Sequence, residues 1–193
     1  IKIKMDQKNI DEAIRYSNQV NKIVRKNATF YGLIMGGVSV AITFIIYFVD
    51  YHLFLNPSIG IVQLVSYLIL GVLVVYTTRK KLGNAIIFKD AFTSYFLAGF
   101  IASVISVIAS ILLFNLIAPE IQGPLKEASL EYSLKMMDSL NLPDTERNAL
   151  IEQAKNANPY TVTEFLKSLG TTLIGHAMFG ALLALIFRNR QTI

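Results

Sequence analysis

The residues able to do acid–base or metal chemistry in this chain are few. It has no cysteine, which rules out disulfides, thiolate nucleophiles and cysteine-based zinc or iron–sulfur sites. It has two histidines, His52 and His176. His52 follows Asp50 by two residues in "DYHLFL", and the pair reads as a polar cap on a helix end. His176 sits in "LIGHAMFG", close to the middle of an apolar run from Leu166 to Phe187 whose one charge is Lys167 at its entrance. An imidazole inside hydrocarbon is costly to place and often functional. There is no HExxH, Gly-rich phosphate loop, GxSxG or paired intramembrane carboxylate. The expectation is therefore a protein that is not an enzyme, with no catalytic residue, no cofactor and no metal. Coupled transport normally needs an ionisable group in the membrane. Here the span interiors offer only Gln63, Asn115 and His176, with hydroxyl residues around them.

The elements that must position His176 follow from hydropathy. Hydrophobic residues make up 53% of the chain and charged residues 16%, well under the roughly 25% of a soluble domain. The charges are missing in long blocks. Crossing a hydrocarbon layer takes about 20 apolar residues in a helix, and four stretches qualify: 28–49, 59–77, 91–117 and 166–187. The fold class expected is all-α, a single membrane domain built as a four-helix transmembrane bundle. Residues 1–4 precede the first methionine, Met5, and carry no structural weight in this reading.

Orientation comes from the positive residues. Lys8, Arg15, Lys22, Arg25 and Lys26 precede the first span, and Arg79, Lys80, Lys81 and Lys89 lie between the second and third. Arg188 and Arg190 follow the fourth, whereas residues 118–164 carry four basic against eight acidic residues. Both termini are thus expected in the cytoplasm, with the acidic connection outside. The same sorting explains the net charge of +5 without nucleic acid. Membrane lipids, other integral membrane subunits or a second copy of the chain are the expected partners.

Outside the spans, apolar residues at Ile10, Ile14, Val20, Ile23 and Val24 predict an amphipathic N-terminal helix on the cytoplasmic side. A Gly-Asn break opens "LGNAIIFKDAFTSYF", which continues as an aromatic approach to the third span through Phe88 and Phe92. Residues 118–164 predict a helical hairpin, with Pro143 between its two helices.

Small residues recur every four positions on three spans. They are Gly32 and Gly36 on the first, then Ala98, Ala102, Ser106 and Ser110 on the third. Ser168, Thr172, His176, Gly180 and Ala184 mark the fourth. Such seams let helix backbones approach closely in lipid. His176 is one member, expected to donate a ring N–H to a hydroxyl or carbonyl on a neighbouring helix.

The "YGLIMG" opening of the first span, "IIFKDAF" before the third and "APE" after it, with a basic end to the fourth, resemble DUF4199. This is a family of bacterial membrane proteins of unknown function, found mainly in Bacteroidetes. The resemblance runs from about Phe30 to Arg190. It implies an inner-membrane location and supplies no activity. The family pattern has an Asp before Pro119 and Glu120, where this chain has Ala118. Taken together, the residues suggest a non-catalytic accessory or assembly subunit packing through its seams. Phe88, Phe92, Pro119 and Glu120 are the candidate partner contacts. The alternative is a small transporter or flippase-like carrier of a lipid or amphiphile.

Overall fold

The computed structural model describes residues 7–139 and 144–189, and the positions of Pro143 and Arg190 lie outside them. The chain runs through α1 (Gln7–Asp50), α2 (Pro57–Lys81), α3 (Phe88–Leu112), α4 (Gln122–Ser139), α5 (Asp144–Asn156) and α6 (Val162–Phe187). No strand occurs among the described residues. Four helices are long and apolar enough to cross a membrane: α1, α2, α3 and α6.

The segment expected as a helix before the first span is the first half of α1. No glycine or proline interrupts Gln7–Tyr31, so one helix of 44 residues results, roughly 66 Å long at 1.5 Å per residue. That is about twice the ~30 Å of a hydrocarbon layer. Asp50 ends α1, and its carboxylate accepts the His52 backbone N–H at 2.9 Å, capping a 3-10 turn over Tyr51–Leu55. Asn56 caps α2 by accepting from the Ser58 N–H, and Pro57 takes the first helical turn, where a missing N–H costs nothing. The Gly-Asn break is Gly83 and Asn84, both left-handed with φ of 74° and 64°. This turn reverses the chain into α3.

α3 is the central helix, packed along its length against α1 on one side and α6 on the other. Ala91, Ala98 and Ala102 are fully buried on it. α2 leans on α1 and α3 and makes little contact with α6. At its far end α3 widens into a π turn over Leu113–Ile117, closed by the Ala118 N–H on the Leu113 carbonyl at 2.8 Å. The side chains of Asn115 and Gln122 donate to the carbonyls of Tyr160 and Phe114 at 3.2 and 2.7 Å. They satisfy backbone groups that the irregular turn exposes.

Two apolar clusters result. One fills the bundle around Met35, Val74, Val75, Tyr95 and Leu183. The other closes the hairpin end, where Phe114 stacks on Tyr160 and Phe165 at 4.9 and 5.7 Å. Buried Ala118 and Leu125 complete it. Ala118 is fully enclosed here, so an aspartate in its place would bury a carboxylate among rings.

Candidate functional site

His176 lies on α6 in the middle of the bundle, 8% exposed. Its ring rests flat against α3 because Gly99 leaves room: a Cβ on Gly99 would stand 2.7 Å from His176 Nδ1. The same nitrogen lies 3.1 Å from the Tyr95 hydroxyl. Tyr95 is itself seated between two glycines, since a Cβ on Gly71 or Gly180 would meet its ring at 2.5 and 2.8 Å. Three glycines on three helices thus shape a socket for one histidine–tyrosine pair. The ring of Tyr67 on α2 stands edge-on to His176 with centroids 5.9 Å apart.

Above this pair α2 and α6 part, leaving a cleft of about 500 Å³. Leu64, Tyr67 and Leu68 form one wall, Thr172, Gly175, Met178, Phe179 and Leu182 the other, and Tyr95 and His176 the floor. Its lining is almost wholly apolar. Nothing lies within 4 Å of where a Gly175 side chain would project. The volume falls in the range of about 300–1,000 Å³ usual for small-molecule sites.

The seam residues are distributed unevenly. Gly32 and Gly36 face α3, where a Cβ on Gly32 would lie 2.9 Å from the Ala98 carbonyl oxygen, and one on Gly36 2.8 Å from Ile105. Ala98 and Ala102 are fully enclosed, Ser106 shares a 2.9 Å hydrogen bond with Ser39 on α1, and Gln63 of α2 donates to Ser39 at 2.9 Å. Ser110 is half-buried. Gly180 and Ala184 are buried, but Ser168 and Thr172 at the hairpin half of α6 are exposed. Seams on α1, α3 and the lower part of α6 are therefore occupied within the chain itself.

Phe88, 39% exposed, stacks on Phe92 at 6.1 Å, and Phe92 on Phe96 at 5.5 Å, forming an aromatic ladder up α3. Pro119 and Glu120 occupy an exposed 3-10 turn. Among the described residues no group of three or more His, Cys, Asp and Glu side chains comes close enough to hold a metal.

Three polar positions were not singled out from sequence. Tyr95 reads from sequence only as one of the aromatics, with Phe88 and Phe92, at the entry to the third span, although Gly99 one turn along is a signal for close approach. Asn27, 1% exposed, ties α1 to α2 by donating to the Val74 carbonyl, Thr77 and Thr78 at 3.1, 2.9 and 2.8 Å. Its carbonyl accepts from Lys81. Asn189 latches the chain end to the α2–α3 turn, its N–H donating to the Ile86 carbonyl and its side chain accepting from the Ile86 N–H, each at 3.0 Å. Close by, Tyr16, Asn21, Lys89, Asp90 and Asn189 line a more polar recess of about 390 Å³.

Comparison with curated proteins and with solved structures gives no match. The model of one family, described as a protein of unknown function (DUF4199), matches residues 30–189, and the chain belongs to that family.

Proposed function

We propose that this is a non-catalytic multi-pass protein of the bacterial inner membrane, acting as a small carrier or acceptor of an amphiphile that enters the α2–α6 cleft from the lipid. Both termini would face the cytoplasm, because Lys22, Arg25, Lys26, Arg79, Lys80, Lys81 and Arg188 all belong to the terminal end of the bundle. The acidic α4–α5 hairpin would lie outside, and the first half of α1 would stand amphipathic in the cytoplasm and headgroup zone.

The observation that carries this reading is the cleft itself, an apolar recess of about 500 Å³ floored by Tyr95 and His176. Its test is native mass spectrometry of the full chain released from mild detergent. An adduct of lipid-like mass is expected on the wild type and should be lost in Gly175→Trp, whose side chain would fill open space. An identical adduct pattern in both proteins would refute the reading.

A second reading is an accessory subunit of a larger membrane complex. With the Gly32, Gly36, Ala98 and Ala102 contacts made internally, the surfaces supporting it are elsewhere. Tyr132, Met136 and Leu150 are exposed on α4 and α5, and Phe88 at the other end. Copurification of a stoichiometric partner, lost on Met136→Glu, is the outcome this second reading expects.

A further inference from the structure

The polar recess beside the Asn189 latch is built from parts of the chain far apart in sequence. α1 supplies Tyr16, Val20 and Asn21, the α2–α3 turn Ile87, and the start of α3 Lys89 and Asp90. Asn189 closes it and pins the turn through both backbone groups of Ile86 at 3.0 Å, so this wall is fixed. Its volume of about 390 Å³ lies within the range of about 300–1,000 Å³ usual for small-molecule sites. Lys89 and Asp90 immediately precede the uncharged run 91–117. α2 ends at Lys81, and α6 ends at Phe187, two residues short of Asn189. Three helices thus set the recess at the edge of the hydrocarbon, where lipid headgroups begin.

Charge narrows the occupant. This end of the bundle is basic, with Lys22, Arg25, Lys26, Arg79, Lys80, Lys81 and Arg188. Asp90 is the exception, the only acidic residue between Asp50 and Glu120. A surface meant for anionic headgroups alone would not carry it, because like charges at close range are costly. An acid in the first turn of α3 also suits the helix dipole, but that role needs neither Lys89 nor a recess. Lys89 and Asp90 share the lining, and neither makes a hydrogen bond or ion pair with a described residue. Val20 and Ile87, the latter 55% exposed, add an apolar flank. One cation, one anion and an apolar flank at headgroup depth match a zwitterionic phospholipid. A primary ammonium can donate N–H bonds to a carboxylate, which a trimethylated one cannot.

We propose that this recess binds the headgroup of phosphatidylethanolamine, its phosphate on Lys89 and its ammonium on Asp90, with the acyl chains descending past Ile87. The site is separate from the α2–α6 cleft and does not depend on how that cleft is read.

The test is native mass spectrometry of the full chain ejected from nanodiscs holding equal parts of phosphatidylethanolamine, phosphatidylcholine and phosphatidylglycerol with matched acyl chains. Phosphatidylethanolamine should be retained about tenfold over either competitor. Asp90→Asn should erase that preference, and Asp90→Glu should keep it. Lys89→Gln, at an exposed position, should weaken both zwitterionic lipids together. Circular dichroism confirms that each variant keeps its helix content. Gly175→Trp, in the cleft, should leave the preference unchanged, and its loss there would place the lipid in the cleft and overturn the proposal. Equal retention of the three lipids, a preference for phosphatidylglycerol, or a preference that survives Asp90→Asn would each overturn it as well. So would displacement by soluble glycerophosphoethanolamine at the lipid's own concentration, which would make the ligand a soluble zwitterion.

Discussion

Glycine-to-alanine substitution at two positions of α1 separates packing within the chain from packing against a partner. Gly32 and Gly37 are on the same helix, and the same methyl group is added at each. At Gly32 it would stand 2.9 Å from the Ala98 carbonyl oxygen and 2.9 Å from Ile101 Cβ. Neither atom can rotate away, since one is backbone and the other is the root of a β-branched side chain. α1 and α3 must therefore separate locally, disturbing the Ser39–Ser106 hydrogen bond two turns along. Overpacking of this kind costs about 1–3 kcal/mol, partly offset by up to about 1 kcal/mol of helix propensity gained. Gly32→Ala should then destabilise the chain by about 1–2 kcal/mol. At Gly37 nothing lies within 4 Å, so only the propensity gain remains, neutral to about 1 kcal/mol stabilising. The assay is reversible unfolding of the purified single chain in mixed micelles, followed by circular dichroism as denaturing detergent is raised. Opposite signs are expected. Equal stabilities for Gly32→Ala and the wild type would refute the internal seam and return Gly32 to a surface available for a partner helix.

Other expectations follow from the polar contacts. Asn27→Leu removes the shared partner of Thr77, Thr78 and Lys81, and should lower stability by about 1–3 kcal/mol in the same unfolding assay. Asn189→Ala should free the α2–α3 turn, seen as faster hydrogen exchange at the Ile86 amide with little change at residues in α3. Gly83→Ala places a side chain at φ 74° and should cost about 1–2 kcal/mol, while Asn84→Gly should cost less. On α4, Glu131 is held below its ordinary carboxylate range by its hydrogen bond to Lys135 and by that charge. A depressed carboxylate supports the helix above its unfolded pKa and loses that support as pH falls through the folded value. Helix content in α4 should therefore decline slightly on acidification, and Lys135→Met should remove that dependence.

The spans were legible because absence of charge over some 20 residues has few other causes. The Gly-Asn break was legible because those two residue types tolerate the left-handed conformation that Gly83 and Asn84 adopt. What a period of four cannot tell is which helix a seam meets. Gly32 meeting Ala98, and Gly99 meeting His176, are facts about chain topology rather than about local pattern. The cleft was illegible for the same reason, since it exists where two apolar helices diverge. The π turn over Leu113–Ile117 left no sequence mark beyond Asn115, whose side chain supports it. The Asn189 latch joins residues 103 apart, beyond the reach of any periodicity.

The central claim is that the wall of α6 facing α2 is open to lipid, and nitroxide scanning tests it directly because the chain contains no native cysteine. Single cysteines from residue 174 to 184 would be spin-labelled in liposomes and their collision rates with oxygen measured. Maxima are expected at Gly175, Met178 and Leu182, which are exposed or face the cleft, and minima at Gly180 and Ala184, which are buried. Protection at Gly175 and Met178 as strong as at Gly180 and Ala184 would mean that another helix fills the cleft, and would contradict the lipid-open site.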